Sequence, residues 1–235
     1  QWVPGKVGNA LKLDGKTHVV LPKELTLKRD QPFSYGAWVN PGVARPMNIL
    51  SRMNSDNHSR GFDLTFESGP VSVHLIHQWP GNGLKVQTKA AIKLNEWTHV
   101  FATYEGNSKA SGVVIYFNGV KQPLEIKQDR LTASIVADVE FRIGSRTNSI
   151  PFVGMLDDVR LYASVLPPSQ VALLARNDSR GELLAIPTAQ RSEAQRKQLQ
   201  DIYLAEEDAE FTRLAALHRD QQAALKKEQK AVPTA

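Results

Sequence analysis

Residues 141–162 read FRIGSRTNSIPFVGMLDDVRLY, and this stretch decides the fold because two alternating apolar runs flank a polar turn. Alternation with a period of two is typical of β-strands, in which successive side chains point to opposite faces. In the second run this period places Asp157 on the same face as Met155, Val159 and Leu161. A carboxylate in register with apolar side chains must be ion-paired, hydrogen-bonded or bound to a cation.

The preceding chain repeats the same pattern in short segments that are separated by Gly, Pro, Asn and Asp. The Asn118-Gly119 pair is a strong hairpin signal, since both residues tolerate positive φ. About eleven such strands predict an all-β, antiparallel jelly-roll sandwich. The predicted strands are 10–13, 18–21, 33–39, 49–52, 62–67, 71–79, 84–88, 97–104, 113–118, 139–143 and 152–162.

The pattern changes after residue 166, where two prolines precede Ser169 and the segment QVALLAR. Ser169 can cap a short helix there, and the prolines can fix its entry. From Thr188 the apolar residues recur at helical spacing, with a further helix start expected near Asp208. The sequence therefore predicts a sandwich over 1–176 and, over 177–235, a helical arm or linker to a further domain.

Composition limits the classes of partner. The net charge is +5 and lies wholly on residues 1–175, because residues 176–235 hold ten basic and ten acidic side chains. A basic balance favours anionic partners such as acidic polysaccharides, but no basic cluster with interleaved aromatics indicates nucleic-acid binding. The chain has no cysteine and no apolar run that could span a membrane. Its start at Gln1 and its Pro-containing tail predict a fragment of a larger protein.

The segment 74–80, HLIHQWP, is the richest candidate for sugar binding. A sugar site needs an aromatic platform with flanking donors and acceptors. Trp79 at the end of the strand can supply the platform, and we expect polar contacts from His74, His77 and Arg52. The alternative is that both histidines are ordinary surface residues and that Trp79 covers the edge of the core.

Several segments together resemble a known family: GKVGNALKLDG, FSYGAWVNP, WTHVFATYEG, VVIYFNGV, FRIGSR and FVGMLDDVRLYASVL. They are similar to the laminin-G-like jelly roll of the concanavalin A-like lectin/glucanase superfamily, over residues 2 to about 175. The amino-acid sequence of these segments resembles even more closely a jelly-roll module of large planctomycete multidomain proteins. In those proteins the module often lies beside a cytochrome-c-like domain. This resemblance implies two facing antiparallel sheets and an extracytoplasmic location, but fold alone does not settle function.

The resemblance also implies a structural calcium ion. In relatives, an Asp of the last strand often holds calcium together with backbone carbonyls from the N-terminal loop. Asp157 stands at that place here, and the loop at Asp14 could contribute oxygen ligands. The alternative is that Asp157 accepts backbone N–H groups or pairs with an arginine such as Arg160 or Arg142.

Hydrolases on this fold carry the pattern Glu-x-Asp-x-x-Glu on one strand. In GFDLTFE, Gly61 and Phe66 stand where the two glutamates would be, and Asp63 alone matches. Glu67 shares the face of Asp63 but lies about 13 Å away along the strand, whereas a retaining pair needs about 5 Å. We therefore expect no enzyme but a non-catalytic carbohydrate-binding module of a larger extracytoplasmic protein. The alternative is a structural spacer or protein-docking domain, which the resemblance would place in a cytochrome-linked protein.

Overall fold

The structure is a computed structural model that describes residues 1–21, 26–176 and 188–207, with further positions at 183, 210, 213–214, 217–218 and 221. The chain divides into two compact units, Gln1–Asp178 and Ser179–Ala235.

Two facing antiparallel sheets form most of the described part of the first unit, which confirms the predicted all-β sandwich. Sheet I has the strand order β1-β2-β14-β4-β9-β10-β11, and sheet II has the order β12-β8-β7-β6-β5-β13-β3. The strands are β1 Trp2–Pro4, β2 Asn9–Asp14, β3 Val19–Leu21, β4 Phe33–Pro41, β5 Pro46–Asn54, β6 Arg60–Glu67, β7 Val71–Gln78, β8 Asn82–Thr88, β9 Thr98–Tyr104, β10 Val113–Phe117, β11 Val120–Lys121, β12 Leu124–Asp129, β13 Phe141–Ile143 and β14 Val153–Tyr162.

The stretch 141–162 belongs to both sheets. Its first strand, β13, pairs with β3 and β5 in sheet II, and its second, β14, lies between β2 and β4 in sheet I. Residues 144–152, here called the crossing segment, connect them. The N–H of Gly144 donates to the Ile49 carbonyl at 2.9 Å. The N–H of Asn48 donates to the Ile150 carbonyl at 2.8 Å. The crossing segment is therefore held against β5.

Aromatic side chains from both sheets fill the core. The ring of Phe33 lies 5.6 Å from that of Tyr35, 6.0 Å from that of Phe62 and 5.0 Å from that of Tyr104. The hydroxyl of Tyr35, on sheet I, donates a 3.0 Å hydrogen bond to the backbone carbonyl of Asp63, on sheet II. Burial raises the pKa of Tyr35 well above its usual value, so the hydroxyl stays a donor. A polar contact thus joins the two sheets through an apolar core.

Three strands were missed at the level of sequence: β1, β11 and β12. All three lie at sheet edges. An edge strand pairs on one side only, and most side chains of these three are exposed, so burial does not impose alternation on them.

The predicted placement of Asp157 with Val159 and Leu161 is wrong. Asp157 pairs with Trp38, but the next pair along the strand is Arg160 with Gly36, so β14 carries a bulge between them. Asp158 sits in the bulge with φ 46°. The extra residue shifts the alternation, and Val159 and Leu161 pack on the core while Asp157 faces the other way.

A short helix, α1 (Pro168–Leu174), follows the last strand. Pro167 occupies its N-cap position without a side-chain hydrogen bond, so the expected cap from Ser169 does not form. Val171 and Leu166 pack with Phe101 and Tyr116 in a second apolar cluster apart from the main core. The helix thereby covers part of the outer face of sheet I.

In the second unit, α2 spans Glu193–Glu207. The hydroxyl of Ser192 accepts the N–H of Gln195 at 3.2 Å, and the Gln195 side-chain oxygen accepts the N–H of Ser192 at 2.8 Å. This reciprocal capping box explains where α2 begins. The helix start predicted near Asp208 lies outside the described residues. Within the described helices, none is both long and apolar enough to cross a membrane.

We predict that Tyr35→Phe lowers the free energy of unfolding by about 1–2 kcal/mol, because it removes a buried hydrogen bond without changing the packed volume. Urea denaturation at neutral pH measures this. Tyr162→Phe is the matched control, since its hydroxyl contacts Arg160 at the half-buried surface at 3.3 Å, and its effect should stay within about 0.5 kcal/mol. A Tyr35→Phe protein as stable as the parent would contradict the role of this bond.

Candidate functional site

The outer face of sheet II carries an unusual number of polar side chains. Alternation along β6 and β7 turns Phe62 and Leu64 into the core and leaves Asp63 on the outer face. Register then places Asp63 directly opposite His74, and His74 opposite Lys85 of β8. Three chemically different side chains therefore stand in one row across three neighbouring strands.

Asp63 stands at one end of this row and has no exposed surface. Its carboxylate accepts hydrogen bonds from Asn48 Nδ2 at 3.1 Å, from His74 Nδ1 at 2.7 Å and from Arg146 Nε at 2.5 Å. An ionised carboxylate only accepts, so Nδ1 of His74 carries a proton and donates it. The three donors come from β5, β7 and the crossing segment.

Opposing effects act on the pKa of Asp63. Burial alone would raise the pKa, but the positive charge of Arg146, followed by the charge and hydrogen bond of His74, lowers it to about 2. Asp63 is thus a carboxylate at all ordinary pH values. Its role is to hold its donors in place.

A cavity of about 300 Å³ opens beside this cluster. Trp79 stands at one side of it with 40% of its surface exposed, and its ring meets that of His74 edge-on at 6.2 Å. Lys85 and Glu67 also line the cavity; Lys85 Nζ lies 2.9 Å from a Glu67 carboxylate oxygen, and both side chains are 20% exposed. Among the lining side chains are Thr65, Glu67, His74, Trp79, Lys85 and Arg146. An aromatic ring and several donors and acceptors therefore converge on one space.

Two of the four predicted ligand-binding residues, Trp79 and His74, line this cavity. The imidazole of His77 instead contacts the Ser134 carbonyl at 2.8 Å and the Arg60 guanidinium at 3.4 Å. Arg52 donates to the Ala137 carbonyl at 3.2 Å. His77 and Arg52 thus hold the segment around residues 134–137 to β7 and β5, and ligand contact by either stays a prediction.

A bulge explains the position of Arg52. Asn48 pairs with Thr65, but the next pair is Leu50 with Leu64, so β5 holds one extra residue. Beyond the bulge, Arg52 pairs with the core residue Phe62 and shares its side of the sheet. Without the bulge, Arg52 would lie on the face of Asn48.

Sequence reasoning did not assign Arg146, Glu67 or Lys85 to the site. The facing of Glu67 and Lys85 follows from strand alternation together with the tight turns between β6, β7 and β8, so hairpin register could have found them. Arg146 is different, because 83 residues separate it from Asp63 and no local pattern links the two.

The structure separates the two predicted calcium ligands. Asp14 pairs with the start of β14 at Val153, four residues before Asp157, which corresponds to about 13 Å along the strand. Because calcium lies within about 2.6 Å of each ligand, one ion cannot bind both. Asp14 accepts the N–H groups of Lys16 and Thr17, which lower the pKa of its carboxyl to about 2.

Asp157 is also occupied by donors. One carboxylate oxygen accepts the N–H groups of Lys6 and Val7, both at 2.7 Å, and the other accepts the N–H of Asp158 at 2.7 Å. Within the part of the chain that the structure describes, no group of three His, Asp or Glu side chains could hold a metal ion. Backbone carbonyls can replace such side chains around calcium, so calcium at Asp157 stays a prediction.

Asp63 should give the protein a specific sensitivity to acid. Its pKa is about 2 in the folded protein and 3.8 in its ordinary state, so the stability it contributes is present above pH 4 and is lost as the pH falls toward 2. We predict that this loss is about 2 kcal/mol larger in the parent than in Asp63→Asn, measured by denaturant unfolding at pH 6 and pH 2.5. Equal acid sensitivity of the two proteins would contradict the ion-paired state of Asp63.

We predict that Asp157→Asn lowers the free energy of unfolding by about 2 kcal/mol, because the amide weakens three charge-assisted hydrogen bonds. Asp158→Asn is the control, since Asp158 makes a partly exposed ion pair with Arg160. Thermal unfolding of the parent and of both variants, with and without EDTA, tests the calcium prediction. A chelator-dependent fall in Tm that Asp157→Asn abolishes would support calcium, whereas curves that do not respond to EDTA would sink it.

Several solved structures are similar to this chain in fold. The binding domain of Paraclostridial Mosquitocidal Protein 1 matches with a TM-score of 0.57 and 16% identity, over 74% of this chain and 45% of that chain. The chain therefore spans less than half the length of that domain. Domain 4 of AbnA, a GH43 extracellular arabinanase from Geobacillus stearothermophilus solved with arabinotriose, matches at 0.51 and 24% identity, over 74% and 80% of the two chains. The CBM40 of the Ruminococcus gnavus IT-sialidase, solved with α2,3 sialyllactose, matches at 0.56 and 16% identity, over 71% and 95%.

These likenesses, at low identity, show a shared fold. No curated protein sequence matches the chain. A laminin G-like family model, however, matches residues 13–172, which cover both sheets from the end of β2 to α1. With the two-sheet sandwich, this match shows that the chain belongs to the concanavalin A-like lectin/glucanases superfamily.

Proposed function

We propose that this protein is a non-catalytic carbohydrate-binding module and that the cavity beside Trp79 is its glycan site. One observation carries the proposal: Trp79, 40% exposed, lines a cavity whose other lining residues include several side-chain donors and acceptors besides Pro46, Ile76 and Ile150. Sugars present an apolar ring face and many hydroxyls, and this combination of surfaces complements both.

Each part of the cavity has a role in the proposed complex. The exposed face of Trp79 stacks on the apolar face of one sugar ring. The Lys85–Glu67 pair offers a donor and an acceptor side by side, 2.9 Å apart. His74 is held by Asp63 through Nδ1, so its other ring nitrogen faces hydroxyl groups in the cavity at a fixed angle. Little side-chain order has to be gained on binding, which favours affinity.

The carboxylates support a binding role over hydrolysis. Asp63 is buried under its three donors, and Glu67 is ion-paired four residues further along β6, about 13 Å away. A retaining glycosidase needs two carboxyl groups about 5 Å apart, and an inverting one about 6.5–9.5 Å. The Asp63–Glu67 pair matches neither geometry.

The solved relatives motivate the choice of ligand and of compartment. One is an arabinanase domain in complex with arabinotriose, from an enzyme described as extracellular, and another is a carbohydrate-binding module in complex with sialyllactose. By analogy, the proposed module works outside the cytoplasm and holds the neighbouring domains of a longer chain near polysaccharide. This analogy rests on fold and remains part of the proposal.

A glycan array followed by calorimetry tests the proposal. We predict that at least one glycan binds and that Trp79→Ala weakens its binding at least tenfold, about 1.4 kcal/mol, through loss of stacking. Trp2→Ala is the matched control, since Trp2 lies on β1 of sheet I and is 70% exposed, and it should bind like the parent. Circular dichroism verifies that both variants fold.

Two outcomes would contradict the proposal in different ways. Binding that survives Trp79→Ala would place the glycan site elsewhere on the protein. Absence of binding to every neutral and acidic glycan at millimolar concentration, with and without calcium, would leave the spacer or protein-docking role as the better explanation.

A further inference from the structure

The two cations that line the cavity, Lys85 and Arg146, are both paired with carboxylates. Arg146 lies 2.5 Å from Asp63, and Lys85 lies 2.9 Å from Glu67, so each cation has a carboxylate partner inside the site. The imidazole of His74 is also held by the Asp63 carboxylate, at 2.7 Å, so it too already has a partner of opposite or acceptor character. This local pairing contrasts with the net charge of +5 on the whole chain.

Breaking either ion pair to free its cation for an acidic ligand would cost free energy. Asp63 has no exposed surface, and removing Arg146 from it would leave a buried carboxylate without its strongest partner, which is far costlier than losing a surface ion pair. Lys85 is more accessible, but an anionic group brought to it would also lie beside Glu67 and be repelled. A ligand carboxylate or sulfate thus finds no unpaired positive charge among these four side chains.

Neutral hydroxyl groups, in contrast, can bind to the intact Lys85–Glu67 ion pair. A hydroxyl both donates and accepts, so two neighbouring hydroxyls can accept from Lys85 and donate to Glu67 without breaking the ion pair. Hydrogen bonds to charged partners are stronger than those between neutral groups. Thr65 and His74 extend the polar surface along the same face.

We infer that the site selects neutral glycans and engages two adjacent hydroxyls of one sugar through the Lys85–Glu67 pair, in preference to uronic, sialic or sulfated sugars. The inference rests on the proposed function. It departs from the preference for anionic partners that the overall basic charge predicts, because long-range charge steers approach whereas the paired groups in the cavity decide the fit.

Matched oligosaccharides test this inference on the intact chain. Each neutral hexose oligosaccharide that binds is compared by calorimetry with the uronate oligosaccharide of the same linkage and ring configuration, and each neutral pentose oligosaccharide with the uronate oligosaccharide whose ring carries a carboxylate at the corresponding carbon, so that only this group differs. We expect the uronate to bind at least tenfold more weakly. Equal or tighter Trp79-dependent binding of the uronate would overturn the inference and leave the proposed function standing, whereas failure of all glycans would overturn both.

A charge variant provides the complementary measurement. Glu67→Gln leaves Lys85 unpaired. The ratio of the dissociation constants of the uronate and the neutral sugar should therefore fall about threefold or more, and added salt should reduce this effect. Glu125→Gln is the control, because Glu125 pairs with Lys127 at 2.7 Å on the edge strand β12, and neither residue lines the cavity. Identical preferences in the Glu67→Gln protein and the parent would contradict the role of the ion pair.

Discussion

A carboxylate with no exposed surface can persist only if its surroundings replace the lost water. Asp63 meets this condition through donors on three separate parts of the chain: Asn48, His74 and Arg146. Each donor is positioned by the same acceptor, so the spacing of β5, β7 and the crossing segment above β6 follows from one group. The shape of the cavity depends on this arrangement, because His74 and Arg146 also line the cavity.

The same stretch of chain builds the sandwich and completes the site. β13 belongs to one sheet and β14 to the other, so the crossing segment connects the two sheets. Backbone hydrogen bonds to Ile49 and from Asn48 hold this segment on β5, and they bring Arg146 over Asp63. The position of the crossing segment beside the cavity is therefore supported by main-chain contacts that do not depend on which side chains line the cavity.

The sandwich was predictable because both sheets bury one face, and burial imposes a period of two on central strands such as β4 and β6. The edge strands escaped because little of their surface is buried. Trp79 and His74 were predictable from alternation and from a strand end. The side of the sheet on which Arg52 and Asp157 lie was not predictable. Single-residue bulges in β5 and β14 invert the alternation, and no Gly marks either bulge. Arg146 reaches the site through tertiary contact alone.

The long sequence separation between Arg146 and its partner has a consequence for how the protein matures. Strands β5 to β8 leave the ribosome well before residue 146, so a nascent hairpin array carries Asp63 without its main counter-charge until the crossing segment docks. Such non-local closure is slow compared with the formation of hairpins. Any ligand that binds only the closed cavity would stabilise the completed sandwich by mass action. Under the proposed function, a surface rich in the bound glycan would retain fully folded copies and leave incomplete ones unattached.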